Sequence, residues 1–360
     1  MSKNKKKQKK RISPETADRL KTGFGTLISN DAVIKASREW KGIIDILPIG
    51  LALASVVLAV LPTLVSRMNV QGSTAVFATP VAGYDQGLAQ FENALIYDES
   101  GNERELVLTI GEDGTYHFAK EDRIALTGGE EKWYTVTHAS TKAPVFEVFF
   151  NTTSLSDWDF YSLLDKNKNP YTQAPRDTSA DAKEEYRASY LAFGKGTIRF
   201  RKRSESGTLF AGLTGYYDRL AGTNFTELAK QLKADNLQFT SKEYLKRVRD
   251  FYANVVTQSF ETEKIKSAWS YTGIFAAIDL GLIVLFGIIL FLMTRGKKNP
   301  FRVYTFWETQ KMAYWASFAP AILSMAVGFW LVQYAFILFM FAYGMRMMWM
   351  SMRSLRPVQK

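Results

Sequence analysis

One acidic residue lies inside a long apolar segment. Ser267–Thr294 contains 28 residues and a single charged side chain, Asp279, near its middle. A helix of this length can cross a hydrocarbon core of about 30 Å. A carboxylate at that depth costs at least a few kcal/mol unless it is paired or hydrated. Asp279 therefore predicts either an intramembrane site for a proton or ligand, or a structural contact to a neighbouring helix.

The structural contact is favoured because the other apolar segments contain no second charge at a comparable depth. Hydroxyl groups are the side chains available to hydrogen-bond Asp279 across helices. The predicted partners are Ser55, Thr63, Ser317 and Ser324.

A second cluster pairs two carboxylates around an aromatic ring, in Asp157-Trp158-Asp159. This arrangement could contact a sugar or a cation. Asp and the neighbouring Ser residues are also common turn formers, so an ordinary loop turn is the favoured interpretation and ligand contact the alternative.

The segment GTIRFRKR alternates apolar and basic side chains. Ile198 and Phe200 fall on one face of the predicted strand, and Arg199, Arg201 and Arg203 on the other. The basic face could contact an anionic wall polymer or phospholipid head groups. The alternative, which we favour, is a solvated strand face that protects a sheet edge by charge.

Metal, cofactor and enzymatic chemistry find little support. The two histidines, His117 and His138, lack the spacing of a metal site, and the chain has no cysteine for thiolate or disulfide chemistry. P-loop, Rossmann, GxSxG, HExxH and EF-hand motifs are absent from the sequence. We therefore expect no cofactor, no metal and no catalytic residue.

Charge is segregated along the chain. Residues 1–45 carry 12 basic and 5 acidic residues, residues 67–266 carry 25 and 28, and residues 267–360 carry 9 and 2. The net charges of +7, −3 and +7 add up to the overall +11. We do not expect a nucleic-acid partner, because the large polar region is slightly acidic. Basic residues that flank apolar segments indicate orientation in a membrane.

Four membrane spans account for the apolar segments. Ile46–Ser66 is an uncleaved first span, Ser267–Thr294 the second, and Met312–Met352 is long enough for a hairpin of two spans that turns near Gly328–Gln333. Basic residues before the first span, between 295 and 311, and after Arg346 place both termini in the cytoplasm. The lysine-rich Met1–Arg11 is expected to be disordered and to contact anionic lipid.

The predicted fold is thus membrane α plus α+β: a four-span bundle in the plasma membrane, with a large extracytoplasmic α+β domain between spans 1 and 2. The predicted boundaries are a basic cytoplasmic N-terminus with a short amphipathic helix at 1–42, span 1 at 43–66, the extracytoplasmic domain at 67–266, span 2 at 267–294, a cytoplasmic interfacial loop at 295–311, spans 3 and 4 at 312–352, and a cytoplasmic tail at 353–360.

Within the extracytoplasmic domain, apolar periodicity predicts a helix at Tyr84–Tyr97 and strands elsewhere. The predicted strands are 105–110, 116–119, 133–137, 145–150, 188–193, 196–203 and 208–213, with a polar loop at 165–183. Asn224 with Glu227, and Thr240 with Glu243, have the spacing of capping boxes. The second of these helices has one apolar stripe and runs on toward Thr294 without proline, which predicts one long helix that joins the domain to span 2.

Three stretches resemble a family of bacterial membrane proteins, the MalA-like or maltodextrin-utilisation proteins. They are GIIDILPIGLALASVVLAVLPTLV, YLAFGKGTIRFRKRSESGTLFAGL and ETQKMAYWASFAPAILSMAVGFW, the last with Pro320 in mid-span. The resemblance implies a link to oligosaccharide uptake and implies no catalytic residues.

The expected function is that of a non-enzymatic accessory or sensory membrane protein. Its extracytoplasmic domain would bind a ligand, an envelope polymer or a partner protein, and would couple to the bundle through the long helix. The alternative is a component of a transport system with Asp279 as its intramembrane polar site. A third hypothesis is an enzyme that acts on the envelope. The expected partners are the lipid bilayer and a transporter or cell-envelope complex.

Overall fold

The computed structural model describes residues 13–39, 46–78, 83–129, 133–138, 144–175, 188–202, 212–295 and 303–354. The chain forms two compact units. Residues 1–69 and 267–360 make up the helical unit, and residues 70–266 make up the sheet unit.

The helices are, in chain order, α1 (Pro14–Gly25), α2 (Asn30–Glu39), α3 (Leu47–Met68), α4 (Gly72–Phe77), α5 (Tyr84–Ala94), α6 (Lys120–Leu126), α7 (Asp157–Asp165), α8 (Phe225–Ala234), α9 (Lys242–Met293), α10 (Phe306–Gly328) and α11 (Val332–Trp349). The strands are β1 (Thr109–Ile110), β2 (Tyr116–His117), β3 (Tyr134–Thr137), β4 (Pro144–Phe150), β5 (Ser189–Phe193), β6 (Thr197–Arg201) and β7 (Leu213–Tyr216). A short 3₁₀ helix covers Tyr217–Arg219, and a π-helical turn covers Met350–Ser354.

Three of the described helices are long and apolar enough to cross a membrane, namely Leu47–Met68, Lys242–Met293 and Val332–Met352. The chain therefore has the character of a membrane protein. The helix α10, which corresponds to the predicted third span, is not one of the three. Lys311 near its start and several Ser, Tyr and Trp residues make it less apolar. The fourth span and the orientation of the termini stay predictions.

In the helical unit, α10 packs against α2, α3 and α11. Tyr343 of α11 donates a 3.1 Å hydrogen bond to the carbonyl of Ala313, and its ring meets that of Phe286 edge to face. The helix α1 begins at Pro14, and the hydroxyl of Ser13 accepts the amide of Thr16 at 3.2 Å.

The sheet unit contains a five-stranded sheet in the order β3-β4-β5-β6-β7. All neighbours are antiparallel except β4 and β5, which run parallel with Val148 opposite Leu191. The connection between these two strands contains α7, as a parallel pair requires a crossover. A separate hairpin pairs β1 with β2.

Both faces of the sheet are covered. Leu191 and Phe193 of β5 belong to the main core, while Tyr190 and Ala192 belong to a smaller core on the opposite face. All four are fully buried. The smaller core is completed by α7 and β4 through Phe149, Phe160, Tyr161 and Leu164. A strand buried on both faces is typical of a sheet with helices on each side.

Several predictions about local structure are wrong. Asp157–Asp159 is the first turn of α7 and not a loop turn, and the short helix α6 was not predicted. The last helix of the sheet unit is capped by Ser241, whose hydroxyl accepts the amide of Tyr244, and not by Thr240. Asn224 caps α8 as predicted. Met1–Arg11, Arg203 and most of the predicted 208–213 strand lie outside the described residues.

Candidate functional site

Asp279 lies on the inward face of α9. Its side chain is fully buried, and neither carboxylate oxygen has a hydrogen-bond partner within the described ranges. Ala276 and Ile283, one turn away on either side, pack into the core of the helical unit. The position that sequence reasoning selected is therefore a buried acceptor without a donor.

Three of the four hydroxyls that were predicted to reach Asp279 bond elsewhere. Ser317 donates to Ser55 at 2.9 Å, which links α10 to α3, and Ser324 donates to the carbonyl of Ala335 at 2.7 Å. The predicted hydrogen bond between these hydroxyls and Asp279 is therefore wrong. The serines hold the helices to one another, as small polar residues do in membrane bundles.

Two further buried oxygens without partners accompany Asp279. The Thr272 hydroxyl lies two turns before Asp279 on the same face of α9, and it has no hydrogen-bond partner among the residues described. The Gln310 side chain of α10 donates through Nε2 to the carbonyl of Val284 at 3.4 Å, but its Oε1 has no partner within the described part of the chain. We call Thr272, Asp279 and Gln310 the polar stripe.

The polar stripe is rich in acceptors. The ionised carboxylate of Asp279 offers two oxygens that can accept hydrogen bonds but cannot donate them, and Oε1 of Gln310 is a third such acceptor. The Thr272 hydroxyl can accept or donate. Buried acceptors of this kind are uncommon and need a donor, a proton or a cation to be satisfied. The Asp279 carboxyl can therefore hold a proton. Thr272 and Asp279 lie about two turns of helix apart, so the polar stripe does not form a single cation site.

Arg346 is a site residue that sequence reasoning did not select. Its guanidinium donates to the side chain of Asn30 at 3.2 Å, to the carbonyl of Ala316 at 3.1 Å and to the carbonyl of Thr26. Arg346 thus fastens the connection between α1 and α2 to α10. Its place in an apolar run was the signal that could have selected it.

In the sheet unit, the Asp157 carboxylate accepts hydrogen bonds from four groups of the protein. It accepts the backbone amides of Lys195 and Gly196 at 2.6 and 3.0 Å, the hydroxyl of Thr197 at 2.7 Å and the amide side chain of Asn151 at 3.0 Å. These bonds fasten the β5–β6 turn to the start of α7. Asp157 therefore acts as a structural clamp in this structure.

The other two members of the acidic cluster point away from Asp157. Asp159 accepts the hydroxyl of Ser156 at 2.6 Å within the cap of α7, and Trp158 is 77% exposed. The three residues are therefore adjacent in the sequence, but their side chains have separate surroundings. Ligand contact by Trp158 stays a prediction.

Arg199 and Arg201 share one carboxylate. Arg199 lies 2.7 Å and Arg201 2.9 Å from Asp165 of α7, and the hydroxyl of Tyr190 donates to the same group at 2.7 Å. Burial alone would raise the pKa of Asp165, but hydrogen bonds from Arg201 and Tyr190 and the two positive charges outweigh it, and the pKa is lowered.

The solvated-edge interpretation of these arginines is wrong. The strand β6 lies between β5 and β7, so it is not an edge, and both side chains are largely covered. Contact with a polymer or a phospholipid would require Arg199 and Arg201 to leave Asp165. That contact stays a prediction.

An open depression in the sheet unit has a volume of about 680 Å³. It is lined by Tyr116, His117, Phe118, Asp122 and Thr152, among others. None of the acidic or basic residues selected from the sequence lines it. His117 is bonded to Asp113 at 3.1 Å, and the described ranges contain no group of three potential metal ligands.

Comparisons of the chain with protein-family models, with characterised proteins and with solved structures each find no match. The resemblance to the MalA-like family therefore stays a prediction.

Proposed function

We propose that this chain is a non-enzymatic sensory or accessory protein of the plasma membrane, in which the sheet unit binds a ligand, an envelope polymer or a partner protein outside the cell. The binding event changes the position or rotation of α9, and α9 carries that change into the helical unit. In this proposal the chain crosses the membrane four times, through α3, α9, α10 and α11, with both termini in the cytoplasm.

The observation that carries the proposal is the continuity of α9, a single helix of 52 residues. Its first half supplies Tyr244, Val248 and Tyr252 to the main core of the sheet unit. Its second half supplies Ile283 and Leu290 to the core of the helical unit. A helix packed into a core at each end transmits a displacement better than a loop, because its backbone hydrogen bonds resist bending.

The coupling can be tested with two insertions of equal length between Lys266 and Ser267. Seven alanines preserve the helix and nearly preserve its rotational phase, since seven residues make about two turns, whereas a seven-residue Gly/Ser insert breaks it. The readout is the labelling rate of a single cysteine at Met293, which is unambiguous because the chain has no cysteine of its own.

The perturbation is Tyr252→Phe, in the core of the sheet unit. We expect it to change labelling at position 293 at least twofold in the full-length protein and in the alanine insert. We expect no change in the Gly/Ser insert. Equal transmission through both inserts, or no response in the unmodified chain, would refute the coupling.

The proposed topology has its own test. Single cysteines are introduced at Lys168, Trp330 and Ser351 and treated with a membrane-impermeant thiol reagent. On intact cells we expect the cysteines at 168 and 330 to react. The cysteine at 351 should react only after permeabilisation. If α10 does not span, position 330 becomes protected and position 351 becomes reactive from outside.

A second candidate function is transport, which the polar stripe favours. Among the residues that the structure describes, Asp279 is buried with two unpaired oxygens, and Thr272 on α9 and Gln310 on α10 add one unpaired oxygen each. Intramembrane acceptors of this kind occur in proton and cation pathways. This alternative agrees with the oligosaccharide uptake that the family resemblance implies.

Transport can be tested with the full chain in proteoliposomes that contain a pH-sensitive dye. Proton flux driven by a pH step should be lost in Asp279→Asn and retained in Ser324→Ala, which removes a buried hydroxyl outside the stripe. Both variants should elute as the unmodified protein does. An unmodified chain without flux, or an Asn variant with full flux, would refute a proton pathway.

A further inference from the structure

A groove of about 340 Å³ lies between α1, α3 and α10 of the helical unit. Its wall is mainly apolar and includes Leu20, Leu27, Leu47, Leu51, Trp315 and Phe318. We call this feature the α1 groove. Its size is within the range of small-molecule binding sites.

The surface around the α1 groove is apolar as well. Leu20 is 50%, Leu47 46% and the neighbouring Phe24 72% exposed. The helix α3 is one of the three helices able to cross a membrane, and α1 is amphipathic. An amphipathic helix beside a membrane span places its apolar side chains among lipid acyl chains at the interface. With the helical unit in a membrane, the groove would therefore open toward hydrocarbon and not toward water.

One cation, Arg19, lies in the lining of the α1 groove, and its guanidinium pairs at 2.7 Å with Glu15. Both side chains of that pair are largely exposed, so the pair contributes little stability and can exchange for another anion. Lys21 follows on α1. Once Glu15 is displaced, the Arg19 guanidinium complements an anionic head group.

The wall of the groove is fixed by contacts of its own. Arg346 donates to the carbonyl of Thr26, which lines the groove, and to the side chain of Asn30 at the start of α2. Lys35 of α2 bonds Asp18 of α1 at 3.1 Å. The helix α1 is therefore held on the bundle, with the groove beneath it.

We propose that the α1 groove binds one acyl chain of an anionic glycerophospholipid from the bilayer, with the head-group phosphate on Arg19. The apolar wall excludes a polar ligand, because buried polar atoms would lack partners there. The cation at the mouth selects phosphatidylglycerol-type lipids over zwitterionic ones. This inference does not depend on signalling or transport, and it requires only that the helical unit lies in a membrane.

The test uses the full chain in vesicles that contain phosphatidylglycerol with a photoactivatable diazirine in its acyl chain. After illumination, adducts are mapped by mass spectrometry. We expect them to concentrate on the groove segments 47–51 and 315–318, at several times the yield of other lipid-facing segments. Uniform adducts along α3 and α11 would show ordinary bulk lipid contact and would overturn the proposal.

Matched variants separate the groove from the surface. Leu51→Trp fills the groove and should lower the yield of adducts at 315–318 at least fivefold. Leu53→Trp should not lower it, because Leu53 is 52% exposed and does not line the groove. If Leu51→Trp does not fold, Leu47→Trp serves, because Leu47 also lines the groove. Equal yields in the Leu51 and Leu53 variants would overturn the proposal.

The head-group part is tested by competition. Arg19→Gln should remove the advantage of phosphatidylglycerol over phosphatidylcholine as competitor, and Lys21→Gln should leave most of it. A preference that survives Arg19→Gln would overturn the assignment of the phosphate. If a second copy of the chain covers the groove instead, Leu51→Cys should form disulfide-linked dimers without lipid adducts, which would also overturn the proposal.

Discussion

Tyr252 of α9 donates a 2.5 Å hydrogen bond to Glu92 of α5, and both side chains are fully buried in the main core of the sheet unit. The second carboxyl oxygen of Glu92 has no hydrogen-bond partner in the part of the chain described. Burial raises the pKa of Glu92 to about 8, and the bond from Tyr252 offsets only part of that effect. Glu92 is therefore mostly protonated at neutral pH.

This carboxyl makes the stability of the sheet unit depend on pH. The folded state binds the proton more tightly than the unfolded state, where the pKa is near 4.5. The stabilisation is therefore complete below pH 4.5 and is lost as the pH rises through about 8. The total loss is at most about 5 kcal/mol, since each pKa unit corresponds to about 1.4 kcal/mol.

The pH dependence can be measured in the full chain through the labelling of a single cysteine at the buried Ala229, which becomes reactive only on unfolding. Glu92→Gln keeps an acceptor for Tyr252 and should flatten the profile between pH 5 and 9. Glu103→Gln, at an exposed position, should leave the profile unchanged. A profile of equal slope in Glu92→Gln would assign the pH dependence to another group.

The charge network on β6 should respond in the opposite direction. Asp165→Asn leaves Arg199 and Arg201 partly buried without their shared carboxylate, and we expect a loss of about 2 kcal/mol at pH 7. Because the pKa of Asp165 is lowered, its stabilisation is present above its usual value of 3.8 and is lost as the pH falls below it.

The same cysteine at position 229 reports this loss. Asp159→Asn is the matched control, since Asp159 is also acidic and on α7, and its bonds among the described residues lie within the helix cap. If both substitutions cost the same, the network contributes nothing beyond helix capping.

The β5–β6 turn contains two glycines with different surroundings. A Cβ on Gly194 would lie 2.5 Å from Cγ of Asp157 and 2.5 Å from the hydroxyl of Tyr161, while a Cβ on Gly196 meets nothing within 4 Å. Gly194→Ala should therefore destabilise the sheet unit by about 2–3 kcal/mol, because it displaces a carboxylate that accepts four hydrogen bonds. Gly196→Ala should change stability by less than about 0.5 kcal/mol. Equal losses would show that the clamp by Asp157 is not what the turn requires.

A similar pair of glycines tests the packing of the helical unit. A Cβ on Gly328 would lie 2.7 Å from Cβ of Ala335 and 2.8 Å from Cγ of Pro62. Gly328→Ala should lower stability in detergent by about 1–3 kcal/mol, because it separates α10 from α11 and α3. Gly281→Ala, with open space around it, should be neutral or slightly stabilising. Thermal aggregation of the purified chain measures both, and a tolerant Gly328 would mean that this helix turn is loosely packed.

The sequence predicted the helices and strands better than it predicted the contacts that surround each residue. The helix at Tyr84, the strands β3 to β6 and the cap at Asn224 follow from local periodicity and capping chemistry, which a short window contains. The parallel pairing of β4 with β5 could not be predicted in this way, because a crossover depends on contacts between residues far apart in the chain. The helix α7 was missed because its polar first turn resembles a loop.

The candidate residues show the same division. Asp279 was selected because a charge in an apolar run is visible locally, and it is buried as that pattern suggests. The arginines of β6 were interpreted as solvated because Asp165 and the smaller core lie on other elements. Glu92 could have been found, since it lies four residues after Leu88 on the apolar face of α5.

The continuity of α9 also determines the order in which this protein can be made. The main core of the sheet unit needs Tyr244, Val248 and Tyr252, which the ribosome supplies only after all of its strands. In the proposed topology, the same helix also supplies the next apolar segment to the membrane insertion machinery. The sheet unit would then wait outside the membrane with an open core until the chain is inserted for the second time. A chaperone outside the membrane would find its substrate in that interval.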